Sequence, residues 1–191
     1  MINEDFTTEE NKNHFKLAGF TSILIGAYFL ISGYAIETIL NGFLIDDNPL
    51  AMMSPEIIEM VIITIAISLF LLVSFTLFFS AKRKAKREND KLWTGNSKNV
   101  AKKYIFLNSI TFIILICLLK FGEINLITPV FLILHALLLV LFHLKERKGL
   151  LILAGVCLLF AIMCFVMPNY WSSSISILGI GYMAFGINYR K

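Results

Sequence analysis

His135 is the residue whose type and position most favour chemistry, because it lies nine residues into a long apolar segment. An ionisable side chain near the middle of a bilayer is costly and commonly belongs to a ligand, proton or ion site. A neutral histidine that shares one hydrogen bond in a structural role fits the same position. Asn108 and Thr111, in a neighbouring apolar segment, can supply its partner. These three residues form the candidate intramembrane polar site.

Two other groups have the residue types of metal sites but not the arrangement. Asp46 and Asp47 precede Glu56 by about ten residues, which matches no loop geometry that converges several oxygens on one cation. Cys157 and Cys164 lie seven apart in an apolar segment, where thiols usually pack as small apolar groups. We therefore expect a solvated acidic loop, ordinary packing of the cysteines, and no metal site.

Catalytic and cofactor motifs are absent from the sequence. There is no Ser-His-Asp set, HExxH motif or Walker loop. Gly179 and Gly181 lie inside an apolar segment rather than after a strand, so they are not a nucleotide-binding fingerprint. No Asp or Glu lies mid-segment to form a proton relay with His135. We expect a non-enzymatic protein without cofactors.

Long apolar segments must position these residues. The chain is 58% hydrophobic and only 16% charged, whereas soluble domains have about 45–50% apolar and about 25% charged residues. A spanning helix needs about 20 apolar residues. The fold class is therefore all-α: a polytopic membrane bundle of six transmembrane helices, following a tail at residues 1–16. The predicted spans are about 17–36, 57–80, 104–119, 126–144, 150–167 and 171–188, and Ser54-Pro55-Glu56 predicts the helix start before the second.

The distribution of charge predicts the orientation of this bundle. Sixteen of the 17 Lys and Arg residues fall in alternate segments between the spans, and Lys120 is the exception. Because the cytoplasmic side retains basic loops, both termini should be cytoplasmic. The net charge of +4 then reflects topology and not nucleic-acid binding. Abundant Ile, Lys and Asn favour a bacterial cytoplasmic membrane.

The loop at residues 81–103 holds nine of these basic residues. Clusters of 4–8 bases beside a spanning helix often bind anionic lipid headgroups, and the same residues can simply fix orientation. Both interpretations remain open for the candidate lipid contacts, which are Lys82, Arg83, Lys84, Lys86 and Arg87.

Small residues recur every seven positions in the first and last spans. A seven-residue step keeps side chains on one seam of a left-handed helix pair, and small residues let two backbones approach closely in lipid. The stripes predict packing within the molecule or, alternatively, an oligomer seam or moving interface. Their members are Gly19, Gly26 and Gly33, and Ser172, Gly179 and Gly186.

Residues 147–191 resemble one unit of the HdeD-like family of small six-helix bacterial membrane proteins. The resemblance rests on Ala154-Gly155, a break at Met167-Pro168-Asn169, and a span with Gly179, Gly181 and Gly186. It implies a hairpin-built fold and an association with acid resistance, but it supplies no catalytic residues. The 20-residue loops of the first 145 residues do not fit that repeat.

Two functional hypotheses follow from these features. The first is a membrane scaffold or accessory protein, stress-related by the resemblance, that works through a membrane protein partner or the lipid bilayer. The second is a small transporter or channel, a homo-oligomer, with a polar path near His135, Asn108, Ser109 and Thr111. Six helices without evident inverted repeats are few for a full transporter.

Overall fold

The computed structural model describes residues 19–44, 53–87, 95–141 and 148–188. Within these ranges the chain is α-helical apart from short turns, and no strand occurs, so the predicted all-α class is confirmed. The helices, numbered here in chain order, are α1 (Phe20–Leu44), α2 (Pro55–Arg87), α3 (Gly95–Lys120), α4 (Ile124–Leu141), α5 (Lys148–Val166) and α6 (Trp171–Asn188), with a 3-10 turn at Pro168–Tyr170.

Four helices are long and apolar enough to cross a membrane. The qualifying segments are Phe20–Leu44, Pro55–Arg87, Lys98–Lys120 and Gly149–Val166. The apolar part of α4, Asn125–Leu141, is shorter, and α6 is not among the four. The four long segments indicate a membrane protein.

Local chemistry explains where α2 begins and α5 ends. The N–H groups of Ile57 and Ile58 donate to the Ser54 carbonyl at 3.0 and 3.4 Å, so the helix starts at the predicted Ser-Pro-Glu sequence. The Ser54 side chain also hydrogen-bonds with Glu56. At the end of α5, Pro168 has no N–H with which to continue the helix, and the 3-10 turn leads directly into α6.

Several helices continue beyond the predicted spans. The first predicted span ends at residue 36, but α1 runs on to Leu44, so part of the expected outer loop 37–56 is helical. The loop expected at residues 81–103 is helical at both ends, because α2 reaches Arg87 and α3 begins at Gly95. Hydropathy measures the apolar length of a segment, and good helix formers such as Ala, Lys and Arg extend a helix into water.

The helices pack as antiparallel neighbours. The most extensive contacts join α1 to α6 and α4 to α5, while α1 also packs on α2, α3 on α4, and α5 on α6. Thr21 of α1 hydrogen-bonds Ser80 of α2 at 2.7 Å, and Ser74 of α2 bonds Tyr104 of α3 at 3.2 Å. These contacts place the basic end of α2 beside the start of α1 and the start of α3.

Glycine stripes join α1 to α6. A Cβ atom added at Gly26 would clash with the Gly179 carbonyl oxygen, and one added at Gly186 would lie 2.7 Å from the Gly19 carbonyl oxygen. Gly33 faces the Ile175 side chain, whose Cγ2 atom would lie 3.1 Å from an added Cβ. The two backbones therefore touch along the antiparallel seam, and the described ends of the chain lie at the same end of the bundle.

Apolar side chains fill the interior and also cover the outside. The core joins Ile25 and Phe29 of α1 to Leu132 and Leu139 of α4, and to Leu178 of α6. Large apolar side chains remain exposed on the outer faces, among them Ile31, Phe79, Ile113, Ile162 and Phe165. Such a surface suits hydrocarbon, because lipid tails are as apolar as these side chains.

Candidate intramembrane site

A partly open cavity of about 200 Å³ lies between the helices. Helices α1, α2, α3, α4 and α6 contribute to its wall, and no described residue of α5 does. Most of the lining is apolar, and none of the described lining residues is an Asp, Glu, Lys or Arg. All three residues of the predicted polar site, His135, Asn108 and Thr111, line this one cavity.

The hydrogen-bond partner of His135 is Tyr182 of α6. Its Nε2 atom lies 2.7 Å from the Tyr182 hydroxyl. The sequence offered Asn108 and Thr111 as partners, but Asn108 donates to the Tyr104 carbonyl and Thr111 to the Leu107 carbonyl, both at 2.9 Å. Residues four apart on one helix satisfy each other in this way. Asn108 and Thr111 therefore donate to carbonyls of their own helix, α3, and not to His135.

Aromatic rings surround the His135–Tyr182 pair. The Phe131 ring stacks on the imidazole at a centroid distance of 5.5 Å, and the Phe29 ring meets its edge at 5.4 Å. Phe29 also stacks on Tyr182 at 5.7 Å. These contacts hold both polar side chains in one orientation, and they leave the imidazole in apolar surroundings where a charged form would be expensive.

A second aromatic group, formed by residues of α2 and α3, lines the same cavity. Phe70 stacks on Tyr104 at 6.3 Å and meets the edge of Phe112 at 5.2 Å. The Tyr104 hydroxyl bonds Ser74. Side-chain contacts therefore connect α2 to α3 beside the cavity.

The hairpin of α3 and α4 sets the depth of the site. Gly122 adopts φ +79° in the short turn, a conformation that favours glycine. Both helices rise by about 1.5 Å per residue from that turn, so His135 lies at about the depth of Asn108 and Thr111. On the far side, Gly179 and Gly186 bring α6 against α1, and Tyr182 between them faces the interior at 2% exposure.

The candidate lipid contacts lie at the end of α2. Four of the predicted basic side chains are exposed, namely Lys82, Arg83, Lys86 and Arg87. Lys84 is half-buried, and Ala81 and Ala85 on the same helix are buried. The exposed bases therefore occupy the outward side of α2 beside its apolar span.

The cysteines and acids form no site within the described ranges. Cys157 and Cys164 are buried, and the Cys164 thiol lies 3.0 Å from the Ser174 hydroxyl, to which it donates. No group of three or more His, Cys, Asp or Glu residues that could hold a metal occurs among the described residues. Asp46 and Asp47 lie outside them.

Tyr182 is the residue of the candidate site that sequence reasoning missed. Its signal was a hydroxyl in the middle of an apolar segment, on a helix face already marked by Gly179 and Gly186. Apolar patterning classes tyrosine with the hydrophobic residues, which hides its hydrogen-bonding group.

No model of a known protein family matches this chain, and no curated protein or solved structure is significantly similar to it. The resemblance of residues 147–191 to HdeD-like proteins stays a prediction.

Proposed function

We propose that this chain is a non-enzymatic accessory protein of the cell membrane that binds a small apolar molecule inside its helix bundle. The cavity carries this proposal, because it is concave, mostly apolar, and furnished with a few polar groups. Binding sites for small molecules generally have this character. The stress-related role implied by the HdeD-like resemblance fits a protein that senses or holds such a molecule.

The bonding of the polar side chains favours a dry cavity over an ion path. Asn108 and Thr111 donate to carbonyls of their own helix, and His135 is bonded to Tyr182. An ion crossing the bilayer needs several groups to replace its hydration shell. Cavities lined by Leu, Ile and Phe stay dry and bind apolar guests.

The experiment is a binding titration with cumene, an uncharged alkylbenzene. Cumene should raise the unfolding temperature of the purified protein saturably, because it binds only the folded state. Ala66 of α2 lines the cavity, whereas Ala184 of α6 is exposed and does not. Ala66→Phe should abolish the effect, and Ala184→Phe is the matched control that should retain it. An equal shift in both variants would show that cumene acts elsewhere, and the proposal would fail.

The alternative is a small oligomeric transporter or channel, favoured by the predicted polar residues His135, Asn108 and Thr111, which all line one cavity. Proton and potassium flux into liposomes tests it. Flux above that of empty liposomes, lost in a folded His135→Leu variant, would replace our proposal. Native mass spectrometry of the protein with its lipids complements this test, because a closed homo-oligomer favours a pore and a monomer with a bound molecule or partner chain favours the accessory role.

We further propose six spans with both termini in the cytoplasm, in a bacterial cytoplasmic membrane. The support is that α4 and α6 pack against three of the four long apolar helices, α1, α3 and α5, and that antiparallel packing gathers at one end the helix termini from which the basic segments continue. A reporter that is active only in the cytoplasm, fused after Lys191, should be active. Activity of a periplasmic reporter at that position would overturn the topology.

Anionic lipid headgroups are the proposed partners of the exposed bases on α2. Each base near a membrane surface contributes about 1 kcal/mol of attraction to anionic lipid. Replacing Lys82, Arg83, Lys86 and Arg87 with Gln should reduce the anionic lipid retained in native mass spectra. Lys120→Gln, at the other end of the bundle, is the control. Unchanged lipid retention in the fourfold variant would mean that these residues only fix the orientation of the protein in the membrane.

A further inference from the structure

The hydrogen bond between Tyr182 and His135 determines which imidazole nitrogen carries the proton. Tyr182 is 2% exposed, and its bond to His135 is the only one that its hydroxyl makes among the described residues. A buried hydroxyl proton needs an acceptor. The arrangement that satisfies both groups has the Tyr182 hydroxyl donating to Nε2. In a neutral imidazole the proton then lies on Nδ1.

In this tautomer, Nδ1 of His135 is a donor that no described residue accepts from. It has no hydrogen-bond partner among the described residues. Among described side chains that are not exposed, only the Ser22 hydroxyl is both fully buried and unpartnered. A water molecule can therefore reach Nδ1. The space from which it does so is the cavity, because the His135 ring lines it.

The size of the cavity indicates which ligands could accept a hydrogen bond from Nδ1. A cavity of about 150 Å³ holds benzene. The volume of about 200 Å³ is large enough for a single ring with small substituents. The aromatic walls formed by Phe29, Phe131, Phe70 and Phe112 offer ring faces and edges, which favour a flat ring as the guest.

We propose that the cavity binds an uncharged, single-ring, lipid-soluble molecule whose carbonyl oxygen accepts a hydrogen bond from Nδ1 of His135. Molecules of this class include aromatic ketones and the head groups of quinones. The proposal rests on the proposed function, since it names the ligand class of the same cavity. A charged guest is excluded because no described lining residue carries an opposite charge.

Acetophenone and cumene separate the two proposals, because each has one ring and nine non-hydrogen atoms and only acetophenone has a carbonyl oxygen. The ratio of their dissociation constants, corrected for partition into detergent, should favour acetophenone more in wild type than in His135→Phe. A single neutral hydrogen bond predicts a change of about twofold to tenfold in this ratio. If cumene binds and the ratio is the same in both proteins, the donor role is overturned while the apolar site stands. If neither binds wild type saturably, both proposals fail.

Two spectroscopic measurements test the donor without relying on a variant. The carbon-13 resonance of carbonyl-labelled acetophenone should move downfield on binding, as it does when a carbonyl accepts a hydrogen bond. Nitrogen-15 spectra of histidine-labelled protein should show His135 protonated on Nδ1 and not on Nε2. A proton on Nε2, or an unmoved carbonyl resonance in the bound state, would overturn the proposal.

Discussion

Replacing Gly26 with alanine should destabilise the protein, whereas replacing Gly155 with alanine should not. Both glycines lie inside helices, so both gain helix propensity when a methyl is added. Their surroundings differ. A Cβ at Gly26 would clash with the Gly179 carbonyl oxygen and lie 3.0 Å from the Met183 nitrogen, whereas a Cβ at Gly155 meets nothing within 4 Å.

The magnitude follows from which atoms can move. The Met183 side chain is flexible, but the Gly179 oxygen belongs to the α6 backbone, so α1 and α6 must separate to admit the methyl. Overpacking of this kind costs about 1–3 kcal/mol. Gly155→Ala should instead stabilise by about 0.5–1 kcal/mol, because alanine restricts the unfolded chain more than glycine does. At roughly 2–4 °C per kcal/mol, the two unfolding temperatures should move in opposite directions.

The buried cysteines supply the assay. Cys157 and Cys164 are 1% and 0% exposed, so a fluorogenic thiol reagent should label them only when the bundle opens. Cys117 is exposed and should be replaced by serine in every variant to remove its background. The measurement is the temperature at half-maximal labelling in detergent.

Two outcomes would refute this account of the seam. One is an unchanged unfolding temperature for Gly26→Ala. The other is full rescue of Gly26→Ala by Met183→Ala, since that would mean that the side chain and not the backbone opposed the methyl.

Three further changes test other parts of the structure by the same assay. Ser22→Ala should stabilise by about 1 kcal/mol, because the Ser22 hydroxyl is fully buried without a partner; a loss of stability would show that it is bonded. A double-mutant cycle with Tyr182→Phe and His135→Leu should give a coupling of about 0.6 kcal/mol, the average found for hydrogen bonds inside membrane proteins, and a coupling of zero would contradict their bond. Gly122→Ala should cost about 1–2 kcal/mol, because φ is +79° at that residue, and a neutral result would mean that the turn can adopt another conformation.

Apolar length and charge predicted the helical class and the alternating direction of the helices, because both depend on properties that are local in the sequence. The helix ends were harder. Ser54-Pro55-Glu56 marked the start of α2 through its own chemistry, but nothing in the hydropathy showed that α1 continues to Leu44. The balance between helix and loop in a polar segment depends on propensities that differ by only tenths of a kcal/mol.

The sequence predicted three residues of the candidate site but not the hydrogen bonds between its residues. His135, Asn108 and Thr111 stood out as polar residues in apolar segments, and all three line the cavity. That Tyr182 and not Asn108 bonds His135 depends on how α6 is rotated against α4, which is a property of the whole bundle. A glycine stripe indicates that two helices approach closely, but it does not identify the partner of each.

The pairing of α1 with α6 joins the first described helix to the last, and this has a consequence for synthesis. About 150 residues separate Gly33 from Gly179, so at about 5–20 residues per second α1 waits roughly 8–30 s in the membrane before its partner is translated. During this time its glycine face is open to lipid, to insertion factors and to α1 of another nascent chain. If translation ends before α6, the glycine face of α1 stays unpaired. We expect such an incomplete chain to be degraded or to exchange helices with another copy.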